Sequence, residues 1–169
     1  DLADLAQVPR AERVVLHISD EGSRADLDAV LAGYEPGWHL YTCGPERYMS
    51  AVVEAAQRQG FPEEARHLEY FSAPEQPDYI DRPFRLKLAR SGQTLDVPAD
   101  KSAADVLIEA GYKIDLKCSD GICGVCKCGL ISGDVEHRDF VLSKAQRTTT
   151  LITCQSRAAE EDGLIELDL

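Results

Sequence analysis

The sequence has no excess of basic residues, since 18 lysines and arginines stand against 30 aspartates and glutamates, for a net charge of −12. This balance argues against nucleic acids and anionic membranes as partners and favours partners with basic docking faces, unless the acidity serves only solubility. No apolar run approaches the roughly 18 residues of a membrane span. The first ten residues, DLADLAQVPR, also lack the basic start and apolar stretch of a secretion signal. We predict a soluble, cytoplasmic protein.

A disulfide-dense composition is also missing, because the 169 residues contain only six cysteines. Five of the six fall in the last third of the chain, whereas small secreted scaffolds are rich in cysteine throughout. Clustering of this kind indicates a metal site. The 44% hydrophobic composition is sufficient for packed cores, so disorder is not expected.

Residues 1–72 alternate predicted strands and helices. The elements are a strand at 13–18 (RVVLHI), a helix at 24–32, a strand at 38–42, a helix from Pro45 to Gly60 and a strand at 67–71. This alternation is typical of a doubly wound α/β fold, but three strands make only half of such a domain. The apolar run at 13–18 predicts a strand covered on both faces, and Trp38 is predicted to lie in the core.

Residues 73–82, APEQPDYIDR, contain two prolines and no hydrophobic period, which predicts an interdomain linker. The pattern then becomes alternating, and FRLKLAR and QTLDVP on either side of Ser91-Gly92 predict a β-hairpin. Strands at about 127–132, 150–154 and 164–169 would complete a small mixed sheet.

A short helix is predicted between the hairpin and the cysteine-rich loop. Ser102 and Asp105 have the spacing of a capping box at its start, and Gly111 ends it. Val106, Leu107 and Ala110 are its predicted buried face.

The cysteines themselves carry the strongest signal. CSDGICGVC, followed by Cys154 in LITCQS, has the spacing C-x4-C-x2-C and then 27 residues before the last cysteine. This is the plant-type [2Fe–2S] arrangement. Each iron requires two thiolates in tetrahedral geometry, so one loop wraps the cluster while a remote strand supplies the fourth ligand. The predicted metal ligands are Cys118, Cys123, Cys126 and Cys154.

Two glycines and a fifth cysteine lie close to these ligands. Gly121 and Gly124 are predicted to keep the loop free of side chains that would crowd the inorganic sulfurs. Cys128, two residues beyond Cys126, is predicted to be a buried thiol outside the ligand set. A structural zinc site is the competing hypothesis, although only one C-x2-C knuckle is present, and disulfides are a weaker one.

With these motifs in place, CSDGICGVCKCGLISGDVEHRDFVLS and LITCQSRA resemble the ferredoxin domain of phthalate-dioxygenase-reductase-like proteins. The resemblance covers residues 83–169 and implies an α+β β-grasp domain of the plant-type ferredoxin class. In that family a flavin barrel and a nicotinamide domain come first. Residues 12–72, with HISDEGSR and YTCGPERYM, look like the second half of the nicotinamide domain, an α/β half-domain.

The resemblance also implies roles for two tripeptides. Cys43, Gly44 and Pro45 would line the pocket where nicotinamide meets flavin, with the positive end of the following helix close by; a simple Gly-Pro helix start is the alternative. His137-Arg138-Asp139 recurs in the family beside the cluster, so either a domain contact or a solvated turn is possible, and we predict the solvated turn.

Residues 1–72 contain no glycine-rich loop after a strand, so the pyrophosphate cradle of a dinucleotide site is missing, and no flavin barrel precedes them. We therefore expect that the chain alone carries electrons but binds neither NAD(P)H nor FMN. The resemblance implies both cofactors for a full-length oxidoreductase. No catalytic residues are predicted, and the four histidines, His17, His39, His67 and His137, show no ligand-type spacing.

The predicted function is transfer of single electrons from reduced FMN, in an upstream flavin-binding domain, to a terminal oxygenase of the Rieske or haem type. The rival hypotheses are an autonomous ferredoxin fused to an inert domain and a zinc-stabilised binding module.

Overall fold

The computed structural model describes residues 14–169. Its helices are α1 (Leu27–Leu31), α2 (Glu46–Arg58) and α3 (Ala103–Glu109), with short 3₁₀ helices at Ser19–Glu21, Glu63–Ala65 and Gln146–Thr148. Its strands are β1 (Leu40–Cys43), β2 (Arg66–Glu69), β3 (Phe84–Leu88), β4 (Thr94–Val97), β5 (Lys127–Ser132), β6 (Val135–Glu136), β7 (Thr150–Ile152), β8 (Arg157–Ala158) and β9 (Leu164–Leu167). None of the helices in this range is both long and apolar enough to cross a membrane.

Residues 14–72, here called the first portion, are built around a parallel β1–α2–β2 unit. β1 pairs with β2 in parallel, from Leu40 opposite Arg66 to Cys43 opposite Glu69. The connecting helix α2 starts after Pro45, whose ring suits a helix start, and buries one stripe of side chains. That stripe consists of Met49, Val52, Ala55 and Ala56.

Two sequence predictions in the first portion are wrong, and the strand predicted at 67–71 is present but ends earlier. Residues 14–18 form no strand, and Val15 is 74% exposed; residue 13 lies outside the described residues. A hydrophobic run forms a strand only beside a hydrogen-bonding neighbour, and no described strand pairs with this one. Trp38 is half exposed rather than in the core. Strand β2 ends at Glu69 rather than at residue 71, and Phe71 is 86% exposed.

The second portion, residues 83–169, contains a five-stranded mixed sheet in the order β4-β3-β9-β5-β7. The predicted hairpin is confirmed, because β3 and β4 pair antiparallel from Phe84 opposite Val97. The last strand, β9, enters the middle of the sheet, parallel to β3 and antiparallel to β5. Side chains from both neighbours and from α3 meet beneath it in one apolar core. Its fully buried members include Leu86, Leu88, Leu107, Leu151, Ile165 and Leu167.

Helix α3 begins with the predicted capping box. The Ser102 hydroxyl accepts a hydrogen bond from the Asp105 amide at 3.1 Å, and the Asp105 carboxylate accepts one from the Ser102 amide at 3.0 Å. Two orphan donors of the first turn are thereby satisfied. The predicted burial of Ala110 is wrong, because the helix ends at Glu109 and its C-cap Ala110 is exposed.

Two neighbouring residues of α3 test the position of the core. Leu107 is fully buried, whereas Ile108 is 42% exposed. Replacing Leu107 with Ala should lower the free energy of unfolding by about 2–5 kcal/mol, because it removes buried methyl groups and leaves a cavity. Ile108→Ala, the matched control, should change it by no more than about 0.5 kcal/mol. Urea denaturation followed by circular dichroism measures both, and equal losses would contradict this core.

Candidate iron–sulfur centre

The first two predicted ligands lie in the irregular loop between α3 and β5. The Cys118 and Cys123 Sγ atoms are 3.1 Å apart. The loop curls tightly because three of its residues have positive φ, namely Ser119 (60°), Gly121 (72°) and Gly124 (68°). The Asp120 amide points at the Cys118 sulfur, at 3.4 Å. The loop therefore presents two thiols together, with a backbone donor on one of them.

The other two predicted ligands meet through strand pairing. β5 and β7 are antiparallel with Lys127 opposite Ile152, so Cys126 before β5 and Cys154 after β7 reach the same end of the sheet. Both cysteines are buried, at 5% and 8% exposure. Thr153 joins them to α3, since its hydroxyl donates to the Cys126 carbonyl at 2.9 Å and its carbonyl accepts from the Ala104 amide at 3.0 Å.

Proximity changes the acidity of the thiols. A hydrogen bond from the Cys154 thiol is the main reason that the pKa of Cys126 falls to about 6, and the same interaction raises the pKa of Cys154. At Cys118, burial acts to raise the pKa, but hydrogen bonds from the Cys123 thiol and from nearby backbone amides outweigh it and lower the pKa to about 7. One thiol of each pair is thus readily ionised, as a metal ligand must be.

The four thiols approach each other as two pairs. Within residues 14–169, no three His, Cys, Asp or Glu side chains are grouped so that they could hold a metal ion. A structural zinc ion takes four ligands around one centre, whereas a [2Fe–2S] cluster takes two thiolates on each of two irons. The paired donor set fits a two-iron cluster, which takes two thiolates on each iron.

Cys128 lies apart from both pairs. It sits in β5 opposite Leu151 and packs, half buried, against the core of the sheet. Burial is the main cause that raises the pKa of its thiol. Cys126 and Cys154, in contrast, pack in a separate apolar cluster with Ala104 and Ile152.

The loop glycines meet different surroundings. A Cβ atom on Gly121 would lie 3.2 Å from both the Asp139 Cα and the Gln155 Cγ, and the Gly121 carbonyl accepts a hydrogen bond from the Phe140 amide at 3.1 Å. A Cβ on Gly124 would meet only ordinary contacts with Val141. Gly121 is therefore required by a close backbone contact behind the loop, which sequence reasoning did not foresee.

The prediction of a solvated turn at residues 137–139 is wrong. Arg138 and Asp139 are 7% and 4% exposed. The Asp139 carboxylate accepts hydrogen bonds from the amides of Val141 and Leu142, at 3.1 and 2.7 Å, and so shapes the segment behind Gly121. No local periodicity signals the burial of Arg138, because its partners Asp81 and Ile80 lie far away in sequence; the family resemblance was the only pointer to it.

The predicted nicotinamide-side residues lie together where β1 ends and α2 begins. Gly44 has φ +148°, and a Cβ there would lie 3.2 Å from the Tyr48 ring. A cavity of about 340 Å³ nearby includes Cys43 in its wall, with Glu69 and other residues of β1 and β2. Gly44 and Pro45 are not part of that wall.

The structure also joins two histidines that spacing did not link. His39 Nδ1 and His67 Nε2 are 2.9 Å apart, and the His67 ring stacks on Tyr41 with centroids 4.4 Å apart. The parallel register, with Tyr41 opposite His67, brings these exposed rings together. The two histidines are 28 residues apart in sequence, so no local motif contains both.

The contact behind the loop can be tested with two glycines of nearly equal φ. Replacing either Gly121 (φ 72°) or Gly92 (φ 70°) with Ala places a Cβ on a backbone of positive φ, which costs about 1–2 kcal/mol in both cases. Of the two, only Gly121 has neighbours within 4 Å of the added Cβ. Gly121→Ala should lower the free energy of unfolding more than Gly92→Ala and should reduce iron content. Thermal unfolding and iron analysis measure this, and equal effects would refute the contact.

Comparison with known proteins places these features in a family. Residues 86–159 match the 2Fe-2S iron-sulfur cluster binding domain family. Across 98% of its length the chain is 43% identical to the tert-butanol monooxygenase / tert-amyl alcohol desaturase reductase subunit of Aquincola tertiaricarbonis, of which it covers 52%.

Solved structures also match 99% of the chain. Full-length CYP116B46 from Tepidiphilus thermophilus has a TM-score of 0.76 and 32% identity, with 22% of that protein covered. Phthalate dioxygenase reductase has a TM-score of 0.60 and 31% identity, with 52% covered. The chain spans about half the length of the curated relatives that it matches. It therefore belongs to the phthalate dioxygenase reductase-like family of oxygenase reductases, and its ferredoxin domain, which follows a reductase portion, carries a [2Fe–2S] cluster for electron transfer.

Proposed function

We propose that Cys118 and Cys123 ligate one iron of the cluster and that Cys126 and Cys154 ligate the other. The observation that carries this assignment is the meeting of the four thiols as two pairs, one within the loop and one across the β5–β7 end. When bound, the cluster accepts and releases one electron at a time. The chain's own residues supply the thiolates, bury the Cys126–Cys154 pair and direct backbone amides toward the sulfurs.

The rest of the chain is the second half of a nicotinamide domain, over residues 1–72, joined by a linker at 73–82 to the ferredoxin domain at 83–169. The parallel β1–α2–β2 unit supports this division, because a dinucleotide binds at the carboxyl ends of parallel strands. Cys43, Gly44 and Pro45 lie at that end and would contact the nicotinamide side.

The full-length protein is an NAD(P)H-dependent oxidoreductase that uses FMN to split a hydride into single electrons and delivers them through the cluster to a terminal oxygenase. Relatives that are named as components of monooxygenases support the proposal. One is a monooxygenase reductase subunit, and another is a self-sufficient cytochrome P450 monooxygenase. The oxygenase is a separate subunit in the first kind of arrangement and part of the same chain in the second.

The ligand assignment predicts that replacing Cys154 and replacing Cys128 have different effects on the cluster. Cys154→Ser should abolish or strongly weaken the visible absorption of the cluster, because it removes one of two thiolates on an iron. Cys128→Ser should leave that absorption intact, because Cys128 packs in the sheet core. Absorption and electron paramagnetic resonance spectra before and after dithionite measure both. A colourless wild-type protein with stoichiometric zinc, or the reverse pattern of effects, would contradict the assignment.

The proposal that residues 1–72 are half of a nicotinamide domain makes a second prediction. NADH and FMN added to this chain under anaerobic conditions should leave the cluster oxidised, because residues 14–72 contain neither a flavin barrel nor a glycine-rich phosphate loop after a strand. Dithionite, added afterwards to the same sample, should bleach it. Cluster reduction by NADH at a catalytic rate would refute the half-domain proposal.

A further inference from the structure

A buried arginine fastens the linker to the ferredoxin domain. The Arg138 guanidinium donates from Nε to the Glu136 carboxylate at 2.7 Å and from Nη1 to the Asp81 carboxylate at 2.6 Å. It also donates to the Ile80 carbonyl at 3.3 Å and lies over the Tyr79 ring, 4.4 Å from the centroid. The side chain of Gln76, also in the linker, donates a hydrogen bond to the Arg138 carbonyl at 3.1 Å.

This arrangement couples burial of a charge to docking of the linker. A buried guanidinium is unfavourable unless its donors are paired, and two of its three hydrogen-bonding partners, Asp81 and Ile80, belong to the linker. A proline-containing linker without such anchors is a flexible spacer. Arg138 therefore favours one position of residues 76–81 over the many that a free linker would sample.

The segment that carries Arg138 also contacts the cluster loop and the first portion. The Phe140 amide donates to the Gly121 carbonyl at 3.1 Å, and the Phe140 ring lies 5.7 Å from the ring of Tyr70. The Lys144 amide donates to the Glu63 carboxylate at 3.1 Å. Tyr70 follows β2 directly, at the edge of the sheet where Cys43 ends β1. Phe140 thus joins the cluster loop to the carboxyl edge of the first portion, and Lys144 adds a contact to the segment before β2.

We propose that Arg138 is a positioning residue for electron entry: by docking the linker it holds the cluster loop against the carboxyl edge of β1 and β2 and so sets how fast an electron crosses from that edge to the cluster. The proposal rests on the proposed function, because it takes the cluster and the electron donor to lie on these two elements. Asp81 is its partner on the linker side.

Linker docking can be measured by chymotrypsin cleavage. The Tyr79 ring, which chymotrypsin has to bind, packs against the Arg138 guanidinium, whereas Phe71, which is 86% exposed, is an internal reference in the same chain. Arg138→Ala and Asp81→Asn should each raise the ratio of Tyr79 to Phe71 cleavage about tenfold, because local opening governs proteolysis. Arg58→Ala, which breaks only the exposed ion pair with Asp28, should leave the ratio unchanged.

Electron entry can be measured in the same chain. In a Cys128→Ser background, a thiol-reactive ruthenium photosensitiser is attached to Cys43. After a laser flash and reductive quenching by a sacrificial amine, the electron passes from the label to the oxidised cluster. Asp81→Asn, which touches neither the loop nor the thiols, should slow this first-order step about tenfold or more while the cluster spectrum and reduction potential stay unchanged.

The outcomes separate the two proposals. A wild-type chain without a dithionite-bleachable spectrum would overturn the proposed function. With the cluster intact, an unchanged cleavage ratio in both variants would show that Arg138 does not hold the linker. Faster cleavage with an unchanged flash rate would show that linker docking is structural only, and either result would overturn the positioning role.

Discussion

The antiparallel pairing of β5 with β7 is the constraint on which the rest of the site depends. Placing Lys127 opposite Ile152 brings Cys126 and Cys154 together although 27 residues separate them in sequence. β5 is itself held by β9, which inserts between β3 and β5 in the middle of the sheet. The end of the chain therefore has to be in place before the cysteine loop has a rigid base, and the apolar core under β9 stabilises that arrangement.

The two thiol pairs differ in their surroundings. Cys126 and Cys154 are buried against α3 and β7, whereas Cys118 and Cys123 are only half buried in a loop shaped by positive φ angles. A backbone loop of this kind offers amide groups to sulfur, and such hydrogen bonds tune the reduction potential of an iron–sulfur cluster. With the ligands proposed above, the Cys118–Cys123 pair would hold the more exposed side of the cluster.

The negative charge is divided unevenly along the chain, so the net charge of −12 does not apply equally to both portions. Sixteen of the 30 acidic residues but only seven of the 18 basic ones precede Pro83. The ferredoxin domain is therefore close to balanced, and the acidity lies mainly in the reductase portion. Recognition by a basic partner would act most strongly on that portion, because salt at physiological ionic strength screens exposed charges beyond about 8 Å.

By itself, the sequence determined every feature set by local chemistry: the cluster type through cysteine spacing, the β3–β4 hairpin through alternation, and the start of α3 through Ser102 and Asp105. It misjudged Trp38 and the run at 14–18, since hydrophobicity predicts burial only where a neighbouring element exists to cover it. Only the tertiary structure decided the pairing of the thiols, the close approach of Asp139 to Gly121 and the burial of Arg138. The Cys126–Cys154 pair, the approach of Asp139 to Gly121 and the contact of Arg138 with Asp81 all join residues that are distant in sequence, so strand order and register decide them rather than any local pattern.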